Sequence, residues 1–198
     1  MIEAIVAISI LSMIGLGVVL FQQSVLRSTK TLQSSLMAEA QARRVLMNFV
    51  TEMRTAKRSP AGAYAIESAA TSSIVFYANI DTATDTERVR YFTATATAPF
   101  GGMVVKKGVT KPTGTTYNTA NERTWNVVFD VKNGTSTALF SYFDSSYTGT
   151  TSPLTTPISV PSVRMIRMQV LIDPNAARSP IPKSFMTQVT PRNLKSNL

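Results

Sequence analysis

Histidine and cysteine are both absent from this chain of 198 residues, and tryptophan occurs once. Without cysteine there is no disulfide framework, and thiols give no hint of the compartment. Without histidine the commonest metal ligand and the usual general base are gone, so Ser-His-Asp and Cys-His catalysis are excluded. No phosphate-binding loop and no paired-carboxylate motif stands in for them. The sequence reads as that of a non-enzyme with no cofactor. Acids are also scarce, 11 against 20 Lys and Arg, for a net charge of +9. The surplus is shared between 22–58 and the residues beyond rather than gathered in one patch. A dispersed surplus points to solubility or contact with acidic surfaces, and away from a dedicated nucleic-acid partner.

The chain begins with an apolar run. From Ala4 to Phe21 no residue is charged, and such a run as a helix spans ~27 Å, close to the hydrocarbon thickness of a bilayer. The run lacks the basic start, shorter apolar core and small-residue cleavage site of a secretory signal. Glu3 stands just ahead of it, where a carboxylate deep in lipid costs about 2.5–3.5 kcal/mol. A compensating role is therefore expected, the bland reading being a side chain that snorkels to the headgroups.

No proline occurs before Pro60, so helix is expected from near Met1 to about Lys57, some ~80 Å of it. Leu46, Phe49, Val50 and Met53 fall at i, i+3, i+4 and i+7, one helical face that would pack onto a head. Leu32, Leu36 and Ala40 continue the stripe upstream. Gly15 and Gly17 each cost ~1 kcal/mol inside a helix relative to alanine. They serve either close helix packing or local unwinding. Ser59-Pro60-Ala61-Gly62 ends the helix.

Beyond it the texture is that of short strands. Ile74–Ile80 and Val89–Thr93 alternate, and Trp125, Val127, Phe129 and Val131 alternate with Asn126, Val128 and Asp130. Asn133-Gly134 is the strongest hairpin signal in the chain, with Ala138, Phe140 and Tyr142 as the return strand. Val163–Ile172 and Ser184–Thr190 are further strands. Pro112–Ala120 and Ser145–Pro161 read as loops. The fold class is α+β: a long N-terminal helix, apolar then amphipathic, whose second half covers an antiparallel sheet. The chain thus divides into three segments: 1–21 apolar, 22–58 amphipathic helix, 59–198 β-rich head.

An apolar start with one early Glu, a long helix and a β-rich head resembles the type IV pilins and type II secretion pseudopilins. The residues Met1-Ile2-Glu3-Ala4-Ile5-Val6-Ala7-Ile8 carry the resemblance. Phe76–Phe92, and Arg192-Asn193-Leu194 near the other end, resemble minor-pilin and J-type pseudopilin heads. The family has two more residues ahead of the Glu, so the natural mature start and a basic leader are expected to differ from Met1 as written. The disulfide of many major pilins is missing, which argues against those subfamilies.

The resemblance implies a structural filament subunit. It would sit in the inner membrane as a precursor, be cut by a prepilin peptidase, and be assembled by pilus or secretion machinery into an extracellular or periplasm-spanning polymer of identical copies. Glu3 would set subunit register by pairing with a neighbour's N-terminal amine in a dry core. The small residues Ala4, Ala7, Ser9, Ser12, Gly15 and Gly17 would permit close helix approach. Arg27 and Lys30, by charge alone, would put the head on the cytoplasmic side. The family orientation is the reverse and is the one adopted.

Other readings concern the head. Asp81, Asp85 and Glu87 are candidate Ca²⁺ ligands, although a solvated hairpin turn without the EF-hand ligand order explains the loop more simply. The run Arg88-Val89-Arg90-Tyr91-Phe92 has the residue types for phosphate and base contact, and strand alternation explains it more simply. The alternative function is a monomeric membrane-tethered adhesion module, with the Thr-rich loops Pro112–Ala120 and Ser145–Pro161 suited to glycan or surface contact.

Overall fold

The structure, a computed structural model, describes residues 2–81, 85–97, 102–134, 136–173 and 182–192. One α-helix, α1 (Ile2–Arg54), precedes eight strands: β1 (Ile66–Ala69), β2 (Ser73–Ala78), β3 (Glu87–Thr95), β4 (Met103–Thr110), β5 (Arg123–Val131), β6 (Phe140–Phe143), β7 (Met165–Ile172) and β8 (Lys183–Val189). The chain divides into two compact units, Met1–Met37 and Ala38–Leu198. The first is helical in all its described residues.

The second unit is an α+β head. All strands lie in one antiparallel sheet ordered β1-β2-β3-β4-β5-β7-β6, with β8 also on β7. The C-terminal turns of α1 cover one sheet face. Ala42, Val45, Leu46, Phe49 and Met53 are buried there, and Val50 is half-buried against the same core. Phe49 sits at the centre, its ring centroid 5.5 Å from Tyr91, 6.3 Å from Phe76 and 5.6 Å from Phe140.

The helix stops at Arg54, short of Lys57, because the next residues join the sheet. Ala56 bridges Ala78, and the Lys57 amide donates to the Tyr77 carbonyl at 2.9 Å. The turn Ser59–Gly62 comes next, closed by the Gly62 amide on the Ser59 carbonyl with Gly62 at φ 79°. That left-handed backbone is where glycine belongs.

Two strand expectations need correction. The hairpin at Asn133-Gly134 does not form, since β6 pairs with β7 and not with β5. β8 lines β7 from Ile166 to Ile172, so β5 and β6 share the opposite edge. The reason is the Asn133 side chain, only 3% exposed. Its amide donates to the Gln169 carbonyl at 2.8 Å and its carbonyl accepts from the Leu171 amide at 2.9 Å. It thus fills the ladder of β7 between β5 and β6 and satisfies backbone groups that would otherwise be orphaned.

The alternation expected along β5 also fails. Register shifts on either side of Val105 put two bulges into β5, one at Asp130, where φ is 56°. Each bulge reverses the in–out phase. Val128 therefore joins Val131 on the buried face and Phe129 is intermediate; Trp125, on that same face opposite Lys107, stays 45% exposed.

The far face of the sheet is tied by charge. Arg88 donates to both carboxylate oxygens of Glu67 at 2.7 and 2.8 Å, and the Tyr77 hydroxyl adds a third bond at 2.7 Å. Arg90 grips Glu122 in the same bidentate manner. Gly108 makes room for that pair, because a Cβ there would lie 2.3 Å from Glu122 Oε1.

Burial acts to raise the Glu67 pKa, but the bonds from Arg88 and Tyr77 outweigh it and hold the carboxyl below its ordinary value. Glu39 is likewise lowered, by the hydrogen bond and charge of Lys183. Carboxyls depressed in the folded state stabilise it above their unfolded pKa, and that contribution disappears as pH falls through the folded pKa. The melting temperature of the head is therefore expected to be flat from about pH 5 to about pH 9 and to drop on the acid side. Glu67→Gln should lower the plateau and make the acid-side drop shallower in thermal melts taken across pH. An unchanged slope would refute the assignment.

Candidate functional site

The helical unit at the N-terminus leaves its apolar side chains without cover. Between Ile2 and Phe21 the large apolar residues range from 49% exposed at Val19 to 79% at Ile2 and Met13. A soluble amphipathic helix would hide one face; this stretch is apolar all round and covered on none. It is long and apolar enough to cross a membrane.

Glu3 lies in the first turn of α1 and is exposed. There its carboxylate faces the positive end of the helix dipole. Ala4, Ala7, Ser12, Gly15 and Gly17 are exposed as well. At about 100° per residue Ala4, Ala7 and Gly15 share one face, and Gly17 points away from it.

Ser9 and Ser12 carry no free hydroxyl hydrogen. Ser9 donates to the Ile5 carbonyl at 2.7 Å and Ser12 to the Ile8 carbonyl at 2.8 Å. That keeps both compatible with an apolar surround. Gly15 and Gly17 are helical, and open space lies where a Cβ would stand. Leu32 and Leu36, on the upstream stripe, are 65% and 66% exposed.

Within the head, α1 is fastened by a charge pair that the sequence did not announce. Glu52 accepts from Lys107 Nζ and, at 2.9 Å, from the Tyr91 hydroxyl. Both partners of the ion pair are largely buried, their side chains 13% and 10% exposed. The ammonium also lies over the rings of Tyr91, at 5.6 Å, and Trp125, at 5.8 Å. Burial, then the charge and hydrogen bond of Glu52, push the Tyr91 hydroxyl well above its ordinary pKa. A lone acid three residues after Phe49, beside the apolar stripe, was the only sequence signal for this lock.

The acids of the 79–87 loop are not gathered. Among the described residues no group of three His, Cys, Asp or Glu could hold a metal ion. Asp81 pairs with Lys111 at 2.7 Å. Glu87 is fully buried and accepts from the Ile80 amide at 3.1 Å. Thr82, Ala83 and Thr84 lie outside the described residues. In the Arg88–Phe92 run both guanidiniums are committed, Arg88 to Glu67 and Arg90 to Glu122, and Tyr91 is buried. Asn193 and Leu194 of the C-terminal motif also lie outside the described residues.

Comparison with family models, curated proteins and solved structures finds no match. The likeness that the structure itself supports is one of architecture. A long N-terminal apolar helix, with its later turns packed on an antiparallel sheet, is compatible with a pilin-like fold.

Proposed function

We propose that the chain is the structural subunit of a type IV pilus-like or pseudopilus filament. It is held in the inner membrane before assembly and polymerises through its N-terminal helix. The observation that carries this reading is the uncovered apolar surface of Ile2–Phe21 on a helix whose later turns are built into a folded head. That surface has two apolar surroundings open to it, lipid and copies of itself. Transfer between them changes the hydrophobic burial little. A contact repeated head to tail by each copy gives an open helical polymer.

In such a polymer Glu3 leaves water and needs a cationic partner. A neighbour's N-terminal amine, freed by the prepilin peptidase, supplies one and fixes the axial register. Glu3→Ala should leave membrane insertion intact and reduce filament yield at least tenfold by electron microscopy of sheared or detergent-depleted material. Glu3→Asp should recover part of it. Wild-type fibres from Glu3→Ala would remove the carboxylate from the mechanism. Wild-type protein that stays monomeric once detergent is withdrawn would remove the filament.

A further inference from the structure

An open groove of about 880 Å³ runs along the head where the loop after β4 faces the start of β5. Its size is in the range of ligand sites, roughly 300–1,000 Å³. The Thr-rich loop supplies one wall through Thr113, and the short 3₁₀ turn Thr119–Asn121 supplies Ala120 and Asn121. The floor is made by Trp125 and Arg123, with Lys111 at the rim.

Three features give the groove a chemical preference. Trp125 is the only tryptophan of the chain and is 45% exposed. It is not loose: Lys107 lies over its ring at 5.8 Å and is itself pinned by Glu52. A held indole with open surface is a platform for flat, partly apolar faces, whose C–H groups carry the positive charge that a π-face attracts.

Second, Arg123 and Trp125 lie two residues apart on one strand, opposite Val109 and Lys107, and so point to the same side ~7 Å apart. That is about the reach from the centre of a six-membered ring through a carboxylate on it and the hydrogen bond the carboxylate accepts. Third, Arg123 is exposed and makes no ion pair with a described residue. Lys111 is already neutralised by Asp81 at 2.7 Å, and Glu122 by Arg90, so Arg123 is the cation of the groove left to an incoming anion.

The geometry points to a binding site for an acidic saccharide, with the pyranose face on Trp125, its carboxylate on Arg123, and its hydroxyls within the polar wall of Thr113 and Asn121. A single-stranded nucleic acid fits less well. It needs a continuous basic track beside several stacking rings, and this groove offers one ring, one cation without an ion pair among the described residues, a second already held by Asp81, and a wall that includes Glu122, held by Arg90.

Because Trp125 is the chain's sole indole, its emission reads the site directly. The full-length protein, kept in a polyoxyethylene detergent so that no sugar headgroup competes, is titrated with trigalacturonate, a hyaluronate tetrasaccharide and sialyllactose. Controls are methyl-esterified trigalacturonate, lactose and a ten-residue oligothymidylate. A saturable shift with at least one acidic sugar is expected, with affinity at least tenfold above its neutral counterpart.

Arg123→Gln should weaken the acidic sugar about tenfold and leave the neutral one unchanged. Trp125→Ala, followed by calorimetry, should abolish both. Should Trp125→Ala melt early, Arg123→Gln, an exposed side chain outside the core, carries the test alone. Equal affinity for acid and ester, undiminished binding by Arg123→Gln, tighter binding of the oligothymidylate, or no saturable response to any of the three acidic sugars would each overturn the assignment.

Discussion

Phe49→Ala is expected to cost the head about 3–5 kcal/mol, the usual range for emptying a buried phenylalanine site. Phe49 is fully buried and touches Tyr91, Phe76 and Phe140, which come from three strands. Those rings are held by the ladder and cannot fold inward to fill the void, so the loss should lie at the upper end. Denaturant unfolding of the detergent-solubilised chain, followed by far-UV circular dichroism, measures it. Phe49→Leu, which keeps most of the volume, should cost less than half as much. A loss under about 1 kcal/mol for the alanine variant would mean that the helix is not what closes this core.

Breaking the Glu52–Lys107 pair one side at a time should be nearly as damaging, about 3 kcal/mol for Glu52→Ala or Lys107→Ala. Each substitution strands a charge in a place where water barely reaches, the side chains being 13% and 10% exposed. Glu52→Ala also strips the Tyr91 hydroxyl of its acceptor. Removing both charges with leucine should recover most of the loss, since no charge is then left without a partner. Adding Tyr91→Phe to that pair should recover the remainder, about 1 kcal/mol. Unfolding measured across this set of variants gives the coupling. Additive losses in the double leucine variant would show that the pair does not act as a unit.

The residues that carry the fold differ in how openly the sequence declares them. The helix was legible because its stripe has a 3.6-residue period over several turns. β2, β3 and β7 were legible from runs of apolar and β-branched residues. β4 was not, because Lys106-Lys107-Gly108 interrupts its apolar pattern. Lys107 is tolerated inside only because Glu52, distant in sequence, meets it. β1 is four residues long and half polar, too short to show a period. Asn133-Gly134 has the local signature of a tight turn, but the asparagine side chain takes ladder positions on a strand that comes later in the chain. Local rules cannot see a partner that far away.

The candidate site divides in the same way. The apolar, acid-marked helix start is a property of consecutive residues and could be read directly. The groove beside Trp125 could not, because its walls come from the loop after β4 and the turn Thr119–Asn121, which only the fold brings to the start of β5. What the sequence did offer was a solitary tryptophan shortly after a threonine-rich loop.

Two cations from different strands hold the head's stretch of α1 near its two ends. Lys183 of β8 meets Glu39 at 2.7 Å, and Lys107 of β4 meets Glu52. Thirteen residues of helix separate those acids, roughly 20 Å along the axis, with Ala42, Val45, Leu46 and Phe49 interlocked between them. Tension applied along that axis loads every rung at once, in shear. Tension applied across it begins instead at the Glu39 end, where the exposed ion pair contributes little, and peels the rungs one after another. The head is thus expected to resist tension along the axis of this helical stretch more strongly than tension across it.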